Sequence, residues 1–116
     1  MGFTDLDLPP SGDDSATVAA RIAAARDRQA ARFETLGSTA RGNADAEGAL
    51  LDQIAEPDAE GREMLLKAAE RFRLSARGYH RVLRVARTIA DLEASDTVRM
   101  PHIAEALGFR LIAGKN

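Results

Sequence analysis

Six arginines lie between residues 71 and 87, and no acidic residue interrupts them. If this segment is helical, Arg77, Arg81 and Arg84 fall within about 60° of one another on one face, since each residue advances a helix by about 100°. Guanidinium groups donate planar pairs of hydrogen bonds that match phosphate oxygens. Arg77 also falls in the first helical turn, where free N–H groups favour an anion. The pattern predicts a phosphate-binding ridge, and an ion pair between Arg77 and Glu70 is the alternative.

The other residues that could do chemistry give weaker signals. His80 and His102 are 22 positions apart in a chain without cysteine, which gives little support for a metal site or for catalysis by histidine. We expect His80, beside the arginine ridge, to be a boundary or partner-contact residue and His102 to be exposed. Asp91 and Glu93 are interpreted as two carboxylates on a solvated helix end, and the acidic block at 44–63 as a solvated surface. No metal site is predicted.

Composition indicates which kind of fold must position the ridge. The 116 residues include 23 alanines and 12 leucines against five isoleucines and four valines, and aromatic residues make up 4%. Alanine and leucine favour helices, whereas sheets favour β-branched and aromatic residues. The composition therefore predicts an all-α bundle of four to five helices and excludes an all-β domain. The net charge of −2 argues against a generic nucleic-acid binder.

Two further absences narrow the class of protein. No cysteine is present, which excludes disulfides and thiolate zinc sites and is typical of a reducing compartment. No apolar run approaches the roughly 20 residues needed to span a bilayer. We therefore expect a cytoplasmic protein without a membrane partner.

Periodicity and capping residues place the elements. Residues 1–15 are polar, acidic and rich in turn formers, and are interpreted as a disordered leader; residues 16–113 are predicted to form the helical domain. One apolar stripe of the first helix comprises Val18, Ile22, Ala25, Gln29 and Phe33. The predicted helices span about 16–33, 44–54, 57–72, 75–94 and 101–111.

Helix boundaries carry the clearest local signals. Asn43 is predicted to cap the second helix, and Pro57 fits the first turn of the third. Gly61 inside that third helix suggests a close approach of another helix, because glycine is otherwise unfavourable there by about 1 kcal/mol. Ser75 is predicted to cap the fourth helix, with Leu74 packing on Tyr79 as a hydrophobic staple.

Several segments together resemble a known family. The longest is residues 74–92, Leu-Ser-Ala-Arg-Gly-Tyr-His-Arg-Val-Leu-Arg-Val-Ala-Arg-Thr-Ile-Ala-Asp-Leu. It is similar to a signature of the magnesium-chelatase-like AAA+ ATPases, most closely the ComM-type (YifB-type) group. Residues 25–32, 42–44, 58–61 and 102–110 also resemble that family, so the likeness covers roughly residues 11–112.

The resemblance implies a C-terminal helical lid over the nucleotide-binding core of an ATPase. Arg77, in the Ser-x-Arg motif, would then be the sensor 2 arginine near the γ-phosphate, and Arg81 and Arg84 would join it in cofactor binding. The implied cofactor is ATP with Mg²⁺ in the full-length protein. The implied partners are the AAA+ core of the same chain, neighbouring subunits of a ring, and DNA through the full assembly. Whether this arginine acts in cis, on ATP bound by its own subunit, or in trans, on ATP bound by a neighbouring subunit, stays open.

The chain departs from a complete ATPase in two respects. Its sequence shows no strand followed by an Asp-rich Mg²⁺ site. It contains no Gly-x-x-x-x-Gly-Lys-Ser/Thr phosphate loop, so we expect a fragment that begins just after the core and does not bind ATP tightly or hydrolyse it alone. Two alternatives stay open: a helix-turn-helix-like nucleic-acid module over residues 62–90, which the acidic second and third helices disfavour, and a protein-interaction bundle without a ligand.

Overall fold

The helical prediction is confirmed by a computed structural model, which describes the backbone of residues 15–113 and the side chains of residues 15–109. Within that part of the chain five α-helices follow one another: α1 (Ser15–Thr35), α2 (Gly48–Ile54), α3 (Ala59–Phe72), α4 (Ala76–Leu92) and α5 (Met100–Ala113). A short 3₁₀ turn, Asn43–Asp45, precedes α2. The expected leader, residues 1–15, lies outside the described residues except for Ser15, which is the first residue of α1.

The fourth helix is the centre of the bundle. α4 packs against α1, α2 and α5, and α3 packs against α5. The apolar face of α4 is buried, and it meets large side chains from every other helix. Buried side chains on α4 are Val82, Leu83, Ala86, Ile89 and Ala90; those around it include Phe33, Leu51, Leu65, Ile103 and Leu107. The face of α4 opposite the arginine ridge therefore forms the core.

The joint between α3 and α4 fixes where α4 begins. The backbone of Arg73 turns into the left-handed region at φ 53° and ends α3. Ser75 then caps α4, with its Oγ accepting a hydrogen bond from the Gly78 N–H at 3.0 Å. Leu74 and Tyr79 both pack against the core. The Ser75 cap is confirmed, and Leu74 and Tyr79 are placed as the predicted staple requires.

Gly61 confirms the expected close approach of helices. A Cβ at this position would lie 3.3 Å from Cγ1 of Ile103 on α5 and 2.9 Å from Oδ1 of Asp58. Asp58 caps α3, since its carboxylate accepts from the Gly61 N–H at 2.8 Å, and Pro57 lies outside the first turn. Pro57 instead forms an isolated parallel bridge with Val98. The predicted start of α3 was therefore early by two residues.

Two predictions about the first half of the chain were wrong. The segment predicted as one helix from 44 to 54 is interrupted, because Ala46 and Glu47 have extended backbones and Gly48 has φ +56°. The predicted stripe of α1 is buried only in its second half, at Ala25 and Phe33. Val18 and Ile22 are 40% and 42% exposed, because α1 packs on α4 mainly through its C-terminal turns.

Candidate functional site

The first half of α4 presents the three predicted arginines on the face opposite the core. Arg77 and Arg81 are exposed, and Arg84 is half-buried. They line one open groove of about 520 Å³ together with His80, and its other side is lined by Ala44, Glu47 and Gly48. We call this feature the arginine groove. The structure thus brings Arg77, Arg81 and Arg84 together, as the helical spacing predicted.

Arg77, in this groove, is free to take a ligand. Within the described part of the chain its side chain makes no hydrogen bond or ion pair, so the alternative pair with Glu70 is not formed. The Ser75 side chain accepts from only one of the first backbone N–H groups of α4. Because the remaining N–H groups carry partial positive charge, an anion beside Arg77 would meet both the guanidinium and the helix terminus.

Arg84 differs from its two neighbours in being anchored. Its Nε–H donates to the carbonyl oxygen of Ala46 at 2.9 Å. Nη1 and Nη2 of Arg84 make no hydrogen bond or ion pair with another described residue, so their N–H groups are left for a ligand. The wall of the groove and one of its arginines are therefore held together by a single backbone acceptor.

An apolar groove of about 420 Å³ adjoins the arginine groove and shares Ala44, Arg81 and Arg84 with it. Its remaining lining is apolar except for Thr88, and Phe109 of α5 is 54% exposed there. The other lining residues are Val85, Thr88, Ile89, Leu92 and Phe109. Cationic and apolar surfaces thus lie side by side along α4.

The two histidines have different environments. His80 lines the arginine groove and lies with its Nε2 3.6 Å from Oδ1 of Asp52, which agrees with a boundary position. His102, predicted to be exposed, is 4% exposed. Its Nδ1 accepts from the Arg99 N–H at 2.9 Å, and its Nε2 donates to Glu93 at 2.9 Å. His102 is buried because it satisfies a free N–H at the start of α5.

A buried polar cluster under the second half of α4 was missed by sequence reasoning. Asp91, expected on a solvated helix end, has a fully buried side chain that pairs with Arg32 of α1 and, at 3.1 Å, with Arg87. Asn43 joins them by donating from Nδ2 to Asp91 at 2.9 Å. The spacing of Arg87 and Asp91, four residues apart on one helix, was the available signal.

Arg87 links this cluster to the backbone at the end of α2 and just after α4. Its side chain is 3% exposed and donates to the carbonyl oxygens of Ile54, Ser95 and Asp96. Burial lowers the pKa of the Arg87 guanidinium below its ordinary value, and the Asp91 carboxylate opposes that shift. The cluster is therefore a structural anchor rather than a second ligand site.

Other chemistry receives no support from the described residues. Residues 15–113 contain no group of three or more histidine or acidic side chains placed to hold a metal ion. Over the same range, none of the helices combines the length and apolar character needed to cross a membrane. The arginine groove carries three guanidinium groups against one carboxylate, a charge that suits an anion.

Comparison with known proteins defines the class. Residues 12–110 match the family model for the C-terminal part of the magnesium chelatase subunit ChlI. The chain belongs to this family, and the predicted resemblance is confirmed.

Individual relatives place the chain within the ComM/YifB group of that family. Over 117 aligned residues it is 34% identical to the uncharacterized protein YifB of Escherichia coli, which covers 93% of this chain and 22% of YifB. A 46-residue stretch, 40% of this chain and 9% of the relative, is 54% identical to the competence protein ComM of Haemophilus influenzae. An uncharacterized protein of Mycobacterium tuberculosis is 36% identical over 99 residues, 85% of this chain and 19% of that protein. The chain thus spans about a fifth or less of the curated relatives.

Proposed function

We propose that this chain acts as the C-terminal lid of a magnesium-chelatase-like AAA+ ATPase, with Arg77 as its sensor 2 arginine. The observation that carries the proposal is the free guanidinium of Arg77 at the start of α4, in a groove shared with Arg81 and Arg84. Family membership supports the same assignment. A lid arginine without a partner in its own domain is suited to a ligand that another domain supplies.

The chemistry assigned to Arg77 is electrostatic. During phosphoryl transfer, negative charge spreads over the oxygens of the transferred γ-phosphoryl group, and a fixed cation lowers the energy of that state. Arg77 would contact the γ-phosphate, while Arg81 and the free nitrogens of Arg84 would contact other phosphate oxygens. Three guanidiniums give a site that binds triphosphate in preference to monophosphate.

The groove suits phosphate better than magnesium. Mg²⁺ takes oxygen ligands in octahedral geometry, and Glu47 supplies the only carboxylate among the described residues that line the groove. We therefore assign the metal of the ATP complex to the phosphates and to the AAA+ core. The proposed partners are that core and the neighbouring subunits of a cytoplasmic ring, which would contact DNA as an assembly in a competence-type role.

The test uses the full-length ATPase that carries this domain. Arg77→Ala is expected to lower kcat at least tenfold, since arginines that stabilise phosphoryl transfer contribute about 10³-fold or more. Arg26→Ala is the matched control, because Arg26 is exposed on α1 and is unpaired among the described residues. The fold of Arg77→Ala should be intact by circular dichroism. An unchanged kcat in a folded Arg77→Ala variant would remove Arg77 from the site.

A second measurement separates the lid from the helix-turn-helix alternative. Fluorescently labelled duplex DNA is titrated with the 116-residue chain at low salt. We expect no binding that depends on Arg81 and Arg84, because Glu47 lines the groove and the Asp52 carboxylate of α2 lies 3.6 Å from His80, so both would repel DNA phosphates. Binding that is lost in Arg81→Ala and Arg84→Ala, and that weakens steeply with salt, would favour the nucleic-acid module instead.

A further inference from the structure

The 43–48 segment forms one wall of the arginine groove, and most of its hydrogen bonds to the rest of the bundle are made by Asn43. The Asn43 N–H donates to Oε1 of Gln29 at 2.9 Å, and its side-chain Oδ1 accepts from Arg32 at 3.2 Å. Nδ2 of Asn43 donates to Thr88 at 3.1 Å and to Asp91 at 2.9 Å. Asn43 is 2% exposed, so these bonds are shielded from water.

The other hydrogen bond between this segment and α4 runs from Arg84 to Ala46, whose side chain is buried in the core. Inside the segment, the Asp45 N–H donates to Gly42 and the Ala46 N–H to Asn43, which makes it a short rigid turn. A displacement of the Asn43 backbone would therefore also displace Ala46. Since Ala46 holds the Nε of Arg84, the orientation of that guanidinium depends on where Asn43 fixes the turn.

We propose that Asn43 is a positioning residue of the arginine groove, which acts through the Ala46 carbonyl to orient Arg84. The hydrogen bonds described above support this connection from Asn43 through Ala46 to Arg84. Only its consequence for nucleotide rests on the proposed function. Asn43 is suited to the role because its amide has both a donor and an acceptor group. It can therefore satisfy the Arg32 cation and the Asp91 carboxylate at once, which neither an aspartate nor a hydrophobic residue could do.

The first test follows the Arg84 Nε–H by nuclear magnetic resonance in the 116-residue chain. In the wild type this proton is hydrogen-bonded, so it should exchange with solvent more slowly than that of the exposed Arg81. Asn43→Ala is expected to raise the Arg84 rate at least about tenfold, towards the Arg81 rate, because the acceptor at Ala46 is no longer held in place. Thr88→Val, which removes one acceptor of the Asn43 amide with little change in shape, should act in the same direction.

A control separates positioning from simple loss of stability. Leu65→Ala removes a fully buried core side chain of α3, which does not line the groove. It should destabilise the chain while leaving the ratio of Arg84 to Arg81 exchange rates unchanged. If the Arg84 proton stays protected from exchange in folded Asn43→Ala, the proposed positioning role of Asn43 is wrong. Should Asn43→Ala not fold, the same result in Thr88→Val leads to the same conclusion. The positioning role is also wrong if Leu65→Ala changes the ratio of Arg84 to Arg81 exchange rates as much as Asn43→Ala does.

The second test measures the consequence for nucleotide in the full-length ATPase. Asn43→Ala is expected to raise the KM for ATP about tenfold with a smaller change in kcat, because Arg84 is assigned to binding and Arg77 to the transferred phosphoryl group. An unchanged KM with a lowered kcat would contradict that division of roles. The two proposals fail separately: an Arg77→Ala variant with normal kcat removes the sensor 2 assignment, whereas the Arg84 exchange rates decide the role of Asn43 in either case.

Discussion

Replacing Asp91 by asparagine tests whether the buried cluster anchors the bundle. The Asp91 side chain is fully buried, and it is the counter-charge of Arg87, whose side chain is 3% exposed, and of Arg32, whose side chain is 18% exposed. Asp91→Asn keeps the shape but leaves both guanidiniums without an anion. Removing one partner of a buried ion pair destabilises proteins by about 3–5 kcal/mol. A domain of this size has about 5–15 kcal/mol in total, so much of its stability should be lost.

Urea unfolding followed by circular dichroism measures this loss. With an m value near 2 kcal/mol/M, the midpoint should fall by roughly 2 M. Asp96→Asn is the matched control, since the Asp96 carboxylate is 97% exposed and lies 3.6 Å from Arg28. That variant should unfold at the wild-type midpoint. A loss below about 1 kcal/mol for Asp91→Asn at unchanged m would refute the argument, because it would mean that water reaches the two arginines.

Four further substitutions test backbone and packing. Gly61→Ala should lower stability by about 1–3 kcal/mol, because its Cβ would press on Ile103 at 3.3 Å; a gain in the urea midpoint would contradict that close approach. Ser75→Ala should lower stability by about 1 kcal/mol through loss of the α4 cap, visible as a lower melting temperature. Gly48→Ala should destabilise by about 1 kcal/mol because Gly48 has φ +56° in open space, whereas Gly108→Ala, inside α5 and equally unobstructed, should stabilise by up to about 1 kcal/mol. Equal effects of these last two would show that backbone conformation is not the cause.

The sequence predicted α4 well because its signals are local. Ser75 and the apolar spacing of residues 79–90 act within one helix and do not depend on its neighbours. The same spacing brought Arg77, Arg81 and Arg84 into one groove. The family was also recognisable from residues 74–92. The chemical role of the arginines stays a prediction, since no ligand-bound state tests it.

Other expectations failed where distant segments decide the outcome. Thr88 and Asp91 continue the arginine face of α4, within about 40° of Arg77 on the wheel, yet α1 and the 3₁₀ turn cover that face in the second half of the helix. The prediction of a solvated helix end rests on the position of Asp91 near the end of α4, and that position does not reveal the packing of α1 against it. Asparagine is a common helix-capping residue, which is why Asn43 is predicted to cap the second helix. Its side chain points into the bundle instead, because it binds Arg32 and Asp91 there.

The bond from Arg84 to Ala46 has a consequence for how tightly the groove can hold an anion. A free arginine side chain loses about 2 kcal/mol of rotamer entropy when it is immobilised. Arg84 is already immobilised by its Nε contact, so a bound anion would recruit its two terminal nitrogens without that loss, while Arg77 would have to be ordered on binding. The ridge thus combines one preorganised cation, Arg84, with two, Arg77 and Arg81, that become ordered only when the ligand arrives.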